Sequence, residues 1–137
     1  MKICITSLGP DLDSLVDPRF GRCAFFLFLN EKGELEEVLQ NPGVGAMRGA
    51  GILAAQEIAS RGANILLTGN IGPNAFGVLV SIGIKIFLVS PNFSVKEAFL
   101  AWKENKLTQL TAPTAPGHFG RGFGRGFGRG FGRKRGF

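Results

Sequence analysis

The hydrophobic pattern of this chain divides it into short strands and helices separated by breaks rich in glycine and proline. Five segments show the apolar runs or apolar–polar alternation typical of β-strands, namely residues 2–6, 24–29, 34–39, 64–68 and 84–89. Three segments have the apolar spacing or the start and stop residues of a helix, namely residues 49–60, 73–80 and 94–107. A short polar turn at residues 30–33 separates the second and third strands, so we expect these two strands to form a hairpin.

Strands that alternate with helices after a hairpin predict an α/β architecture with a mixed sheet. The last two strands should run parallel to the first, because right-handed crossovers through a helix join parallel strands. The hairpin then supplies the one antiparallel strand. We expect residues 1–110 to form this α/β domain, with a Pro/Thr linker at residues 111–117 and a separate tail at residues 118–137.

The composition changes completely in the tail, where Gly-Arg-Gly-Phe repeats begin at Gly120 and a variant repeat closes the chain at Phe137. A glycine at every second position disfavours a helix by about 1 kcal/mol per glycine, and no aliphatic residue is present to build a core. We therefore expect the tail to be disordered alone. Residues 1–117 balance ten basic against ten acidic side chains. The net charge of +6 thus comes from six tail cations, Arg121, Arg125, Arg129, Arg133, Lys134 and Arg135.

The segment after the fourth strand is the first candidate for chemistry. Gly69 and Gly72 permit either a sharp turn or the close approach of another group, and Pro73 suits the first turn of a helix. The N–H groups of such a turn point towards the carboxyl end of the sheet, where open α/β folds bind ligands. One interpretation is a binding loop that includes Asn70 and Asn74. The other is a tight connection with no ligand.

Four motifs together resemble the dinitrogenase iron–molybdenum cofactor biosynthesis family over residues 1 to about 107. They are Asp-Pro-Arg-Phe-Gly-Arg at 17–22, Gly-Ala-Gly-Ile at 49–52, Thr-Gly-Asn-Ile-Gly-Pro-Asn-Ala-Phe at 68–76 and Gly-Ile-Lys at 83–85. The resemblance implies a ribonuclease H-like three-layer α/β/α fold. Its five-stranded mixed sheet would have the order 3-2-1-4-5, with strand 2 antiparallel. The resemblance also implies non-enzymatic binding of iron–sulfur clusters or cofactor precursors, among which a molybdenum-containing precursor is one option.

A cationic Gly/Arg tail on such a domain resembles the iron–sulfur storage proteins of anaerobic microbes. Those proteins hold iron and sulfide as an anionic thioferrate polymer. Evenly spaced guanidinium groups can match a chain of repeating negative charge, much as basic arms match phosphate chains. The resemblance therefore implies storage of iron and sulfide, with the tail binding the polymer, and we expect self-association into large assemblies.

Cys23 is the first candidate metal ligand, because Arg19 and Arg22 lie beside it and positive charge lowers the pKa of a thiol. The alternative is that Cys23 is a small buried core residue. His118 is a second candidate ligand, or simply a solvated side chain. A typical iron–sulfur cluster takes four thiolates, whereas this chain has two, and Cys4 lies within an apolar strand. We therefore expect either a cluster shared between chains or an iron–sulfur species that completes its coordination with sulfide.

Three arginines could line the anion-facing end of the sheet together with the 69–74 loop, namely Arg19, Arg22 and Arg48. The alternative is that they form ordinary surface ion pairs with aspartates of the first loop, for example Asp11, Asp13 or Asp17.

No Ser/His/Asp set, P-loop or metal-binding His pair occurs in the sequence, so we expect no enzymatic activity. Two other functions remain open beside storage: a carrier that delivers a preformed cluster, and an RNA-binding accessory protein that acts through the Gly/Arg/Phe tail. The chain begins directly with a predicted strand, and no apolar stretch is long enough to span a membrane. We therefore expect a cytoplasmic protein without membrane association.

Overall fold

Six strands form one mixed sheet in the computed structural model, which describes residues 1–42 and 49–114. The strands are β1 (Lys2–Ser7), β2 (Phe25–Asn30), β3 (Leu35–Gln40), β4 (Ile65–Thr68), β5 (Lys85–Leu88) and β6 (Thr108–Gln109). Their order across the sheet is β3-β2-β1-β4-β5-β6. The helices of the described residues are α1 (Ala50–Ser60), α2 (Pro73–Ser81) and α3 (Val95–Lys103).

The predicted order 3-2-1-4-5 is confirmed for the first five strands, and so are their directions. β1, β4 and β5 are parallel, and β2 is antiparallel to both of its neighbours. The predicted five-strand count is wrong by one, because β6 adds an antiparallel strand beside β5. The ribonuclease H-like assignment stays a prediction.

The last strand was missed because the final helix ends earlier than the predicted position near Leu107. α3 ends at Lys103, and Asn105 then takes a left-handed conformation with φ of 61°. The N–H of Lys106 donates to the carbonyl of Ala101, and the N–H of Asn105 donates to the carbonyl of Trp102. These two bonds form a Schellman motif, which ends the helix and frees the following residues to pair with β5.

Helices cover both faces of the sheet, which gives the predicted three layers. α1 and α2 pack on one face, where Cys4 of β1 joins Ile58 and Leu79 in the core. α3 packs on the other face, where Ile3 and Ile5 of β1 join side chains of the helix. The inner strands β1 and β4 are buried on both faces, as their continuous apolar runs predict. None of the helices in the described part of the chain has the length and apolar character that a membrane crossing needs.

The carboxyl ends of β1, β4 and β5 meet at one edge of the sheet, which we call the carboxyl edge. The connections that follow these strands lie there, at residues 8–24, 69–72 and 89–94. The chain leaves β1 towards β2 on one side and leaves β4 towards β5 on the other. Such a switch in direction opens a crevice between two strands, and ligands of open α/β sheets bind at this position.

Candidate functional site

Asp17 organises the connection between β1 and β2. Its side chain is fully buried. Its Oδ1 accepts hydrogen bonds from the backbone N–H and Nε of Arg19, at 3.1 and 3.0 Å. Its Oδ2 accepts from Nη2 of Arg19 at 3.0 Å and from the backbone N–H of Ala24 at 3.3 Å. The N–H of Asp17 donates to the carbonyl of Thr6 in β1, so this one residue fastens the connection to the end of the strand.

Arg19 therefore forms an ion pair with Asp17, as the second of the two sequence-based interpretations predicts. The hydrogen bond and the charge of Asp17 raise the pKa of Arg19, so its guanidinium stays cationic. The side chain nevertheless remains 60% exposed, which leaves part of the cation facing solvent at the carboxyl edge. Arg22 lies on the same connection and is exposed. Arg48 lies outside the described residues.

The 69–74 loop is fixed against the Asp17 connection by backbone pairing. The N–H of Asn70 donates to the carbonyl of Pro18, and the N–H of Phe20 donates to the carbonyl of Asn70 at 3.1 Å. A Cβ atom added at Gly69 would lie 2.7 Å from the Cα of Pro18, which leaves no room for a side chain. The group that approaches Gly69 closely is therefore Pro18 and not a ligand.

Two helix N-termini lie side by side at the carboxyl edge. α1 begins after Gly49 and α2 begins after Gly72, and neither of these N-cap residues supplies a side-chain cap. Neither helix has an acidic residue in its first turn. A Cβ atom added at Gly51 would lie 3.2 Å from the Cβ of Ala75, so the two first turns are in contact. Their N–H groups and dipoles thus favour negative charge at one place.

Gly72 differs from Gly69 in its surroundings. A Cβ atom added at Gly72 would meet no atom within 4 Å, and the backbone has φ −80° and ψ 169°, which any residue can adopt. Asn70 and Asn74, the two predicted polar residues of the loop, are exposed nearby. The structure thus brings Gly72 and Asn74 together at the first turn of α2, with open space in front of them.

Cys23 is fully buried in the core between the sheet and α1 and α2. The Nδ2 of Asn41 donates to the carbonyl of Cys23 at 2.9 Å and lies 3.8 Å from its Sγ. Burial and the charge of Asp17 raise the pKa of the Cys23 thiol, and the opposing effect of Arg19 is smaller. Arg19 thus lowers the pKa of Cys23 as expected, but burial outweighs this effect and the net pKa is raised. Iron binding by Cys23 stays a prediction, and this buried, protonated thiol does not favour it.

Cys4 is also fully buried, which agrees with its predicted place in the core, and burial raises the pKa of its thiol. Within residues 1–42 and 49–114, no group of three or more His, Cys, Asp or Glu side chains is placed to hold a metal ion. Asp11 accepts hydrogen bonds from the N–H of Asp13 and the hydroxyl of Ser14, which is a local turn. The described groups at the carboxyl edge are therefore N–H donors and a guanidinium group, a type of chemistry that suits an anion better than a metal ion.

His118 and the six tail cations lie outside the described residues. The first four residues of the linker, 111–114, are described. The hydroxyl of Thr114 accepts a hydrogen bond from the N–H of Ile71 at 2.8 Å, and the N–H of Thr114 donates to the carbonyl of Ile71 at 3.1 Å. The linker thus joins the 69–74 loop. Sequence reasoning missed this contact, because no local pattern signals a pairing between such distant residues.

Sequence reasoning also missed an open groove of about 350 Å³ on the α3 side of the carboxyl edge. Its lining includes three partly exposed leucines, Leu8, Leu15 and Leu88. Leu8 and Leu15 lie in the β1–β2 connection, where glycine, proline and aspartate dominate the sequence and single leucines give no signal.

Comparisons with known proteins agree with this architecture. A model of the dinitrogenase iron–molybdenum cofactor family matches residues 1–105. The apo form of the orange protein from Desulfovibrio gigas is 37% identical, with a TM-score of 0.79 over 83% of this chain and 96% of that chain. A NifB-like protein of the DUF35 family from Thermotoga is 34% identical, with a TM-score of 0.72 over 83% of this chain and 97% of that chain. A Methanocaldococcus jannaschii protein that is named only as uncharacterized is 31% identical over 111 residues, 78% of this chain and 93% of that relative.

Proposed function

Because the chain belongs to the dinitrogenase iron–molybdenum cofactor family, we propose that it binds a metal–sulfur cofactor precursor or cluster and does not transform it. The binding site is the carboxyl edge. The observation that carries this function is the contact between the first turns of α1 and α2, both without a side-chain cap. Two such helix ends stabilise one anion, and metal–sulfur clusters rich in sulfide are anions.

The cargo brings its own metal ligands. Both thiols are buried, and the described residues hold no ligand cluster at the carboxyl edge. A species in which sulfide completes the coordination of iron needs no protein thiolate. The protein then contributes N–H donors from the first turns of α1 and α2 and the exposed part of the Arg19 guanidinium. These contacts recognise negative charge and are weakened by competing salt.

The more specific function is storage of iron and sulfide. Thr114 of the linker pairs with Ile71 beside the binding site, and the cationic tail follows in the sequence from residue 118. The tail carries six positive charges in the sequence, four of them spaced four residues apart at Arg121, Arg125, Arg129 and Arg133. These cations continue the anion-binding surface beyond the domain and match the repeating charge of a thioferrate-like polymer. Several chains bound along one polymer would form large assemblies.

A carrier of one discrete cluster is the second candidate, and the α1–α2 site favours it. Two helix N-termini provide room for one small anion and require nothing from the tail. RNA binding rests on the Gly/Arg/Phe repeats alone and stays a prediction.

Loading with iron and sulfide distinguishes storage from carriage. The full chain is compared with a variant in which the six tail cations are replaced by glutamine, and with a control in which the five tail arginines are replaced by lysine. Ferrous iron and sulfide are added without oxygen, and iron per chain and particle size are measured. Storage predicts many irons per chain in large particles for the full chain and the lysine control, and few for the glutamine variant.

The contrary result would be a few irons per chain and no growth in particle size for all three proteins. That outcome would support a cluster carrier and would reject storage. Failure of all three to retain iron would reject metal–sulfur binding itself.

A further inference from the structure

The groove on the α3 side of the carboxyl edge differs in its chemistry from the first turns of α1 and α2. Its lining is largely aliphatic, and three of its leucines remain partly exposed, Leu8 at 48%, Leu15 at 45% and Leu88 at 38%. Val16 and Val89 also line it and belong to the core packed against α3. Such a surface binds an apolar group and excludes a highly charged one.

The shape of the groove is fixed by backbone pairing. Leu8 and Leu15 pair with each other through an N–H to carbonyl bond of 2.9 Å. The N–H of Val16 donates to the carbonyl of Phe93 in the β5–α3 connection, and the N–H of Val95 donates to the carbonyl of Ser14. Both walls are therefore part of the folded domain. At about 350 Å³, the groove falls at the small end of the range for ligand pockets and suits one or two aromatic side chains.

The described part of the linker ends near this groove. Thr114 is hydrogen-bonded to Ile71. Asn70, which precedes Ile71 in the sequence, lines the groove. Phe119 follows Thr114 by five residues, which span at most about 17 Å when extended. Because Asn70 lines the groove and is adjacent to Ile71, this length is enough to reach the groove from Thr114.

The charges around the groove also favour the tail. Asp11 and Asp13 are exposed on the connection that carries Leu8 and Leu15, and neither forms an ion pair within the described residues. Lys96 is the nearby cation on α3, since its N–H donates to the carbonyl of Leu12. The segments beside the groove thus carry two exposed acids and one lysine, and Arg19 next to Pro18 is paired with Asp17. The tail carries an arginine two residues after each phenylalanine of its first repeats, so a docked ring brings a cation towards these acids.

We propose that the groove binds the first phenylalanines of this chain's own tail, Phe119 and Phe123. Docking holds the first repeat along the groove, so that Arg121 lies towards Asp11 and Asp13. The later repeats stay available for other contacts. Docking requires no metal and no sulfide, so its test is independent of the proposed function.

Methyl NMR of the full chain tests docking in the absence of cargo. A ring in the groove shifts the methyl signals of Leu15 and Leu88 upfield. The variant F119S/F123S should abolish this shift, whereas the control F127S/F131S, which removes two later rings, should leave it in place. Equal methyl signals in the wild type and in both variants would overturn the proposal. Loss of the shift on dilution would also overturn it, because the occupant would then be the tail of a second copy.

Proteolysis provides a second readout. Limited trypsin cleavage after Arg121 should be about tenfold faster in Leu15→Gln than in the wild type, because release of one buried ring costs about 1.4 kcal/mol or more. Leu100→Gln is the matched control, since Leu100 is 46% exposed on α3 and is not part of the groove lining. Cleavage at the same rate in all three proteins would contradict docking.

Discussion

The two sides of the carboxyl edge present opposite chemistry, although both are built on the connections that follow β1, β4 and β5. On the α1–α2 side, two helix N-termini lie in contact, without a side-chain cap and without acidic side chains in their first turns. On the α3 side, aliphatic side chains form a groove with Asp11 and Asp13 nearby. One sheet edge can thus separate an anion-binding surface from an apolar surface.

Helix capping explains much of this difference. α3 has a complete capping box, in which the hydroxyl of Ser94 accepts from the N–H of Glu97 and the Glu97 carboxylate accepts from the N–H of Ser94. The other donors of this first turn, the N–H groups of Val95 and Lys96, pair with the carbonyls of Ser14 and Leu12, so this helix end is satisfied. α1 and α2 begin at Gly49 and Gly72, which have no side chain to offer. The N-cap residues of α1 and α2 therefore do not satisfy these donors with a side chain, as Ser94 does at α3.

Substitution of Asp17 should destabilise the β1–β2 connection, which contributes to both sides of the carboxyl edge. Asp17→Ala removes a buried carboxylate that accepts four hydrogen bonds and leaves the N–H of Ala24 without this acceptor. We expect the free energy of unfolding to fall by about 2–4 kcal/mol, measured by urea denaturation. Arg19→Ala is the control and should cost less than Asp17→Ala, because the N–H groups of residue 19 and Ala24 still donate to the buried carboxylate. Equal losses in both variants would contradict the role of Asp17 as the organising residue.

Two glycine substitutions should distinguish a tightly packed position of the 69–74 loop, Gly69, from an open one, Gly72. Gly69→Ala places a Cβ against the backbone of Pro18, so we expect a loss of about 1–3 kcal/mol in stability. Gly72→Ala places a Cβ in open space and should be neutral or stabilising by up to about 1 kcal/mol. Urea denaturation measures both values. A neutral Gly69→Ala variant would show that the contact with Pro18 does not constrain the loop.

The pH dependence of stability tests the burial of Cys23, which lies in the core beneath α1 and α2. Burial raises the pKa of Cys23 in the folded state, so the unfolded chain releases its thiol proton first as the pH rises. The stabilising contribution is complete below the unfolded pKa and should decline above about pH 8.5. Urea midpoints of the wild type and Cys23→Ala across pH 7–10 should converge with rising pH. A constant difference between them would indicate a thiol that titrates normally.

Much of the sheet was readable from sequence, because its strands alternate or run continuously in apolar residues and their connections carry clear turn residues. The strand order beyond the hairpin came from the family resemblance. β6 was missed because Thr108 and Gln109 are two exposed polar residues, although Asn105 was a helix stop signal. The local hydrophobic pattern predicts the longer strands and helices, but it does not predict an edge strand of two residues.

The candidate site was less predictable than the sheet. The sequence pointed to the 69–74 loop, but it could not show that Pro18 fills the space beside Gly69 or that Thr114 reaches Ile71. The position of Cys23 beside two arginines suggested a reactive thiol, whereas tertiary packing buried it. Each of these outcomes depends on contacts between segments that are distant in the sequence.

The most direct test of the α1–α2 anion site is a charge-only substitution at Gly72, where a side chain fits without a clash. Gly72→Asp and Gly72→Asn have the same shape and both can cap α2, but only aspartate adds a negative charge. Iron and sulfide retained per chain are measured for both variants in the full-length protein. The account predicts that Gly72→Asp loses at least half of the iron that Gly72→Asn retains, and that added salt narrows the difference. Equal retention by the two variants would contradict an anionic cargo at this helix end.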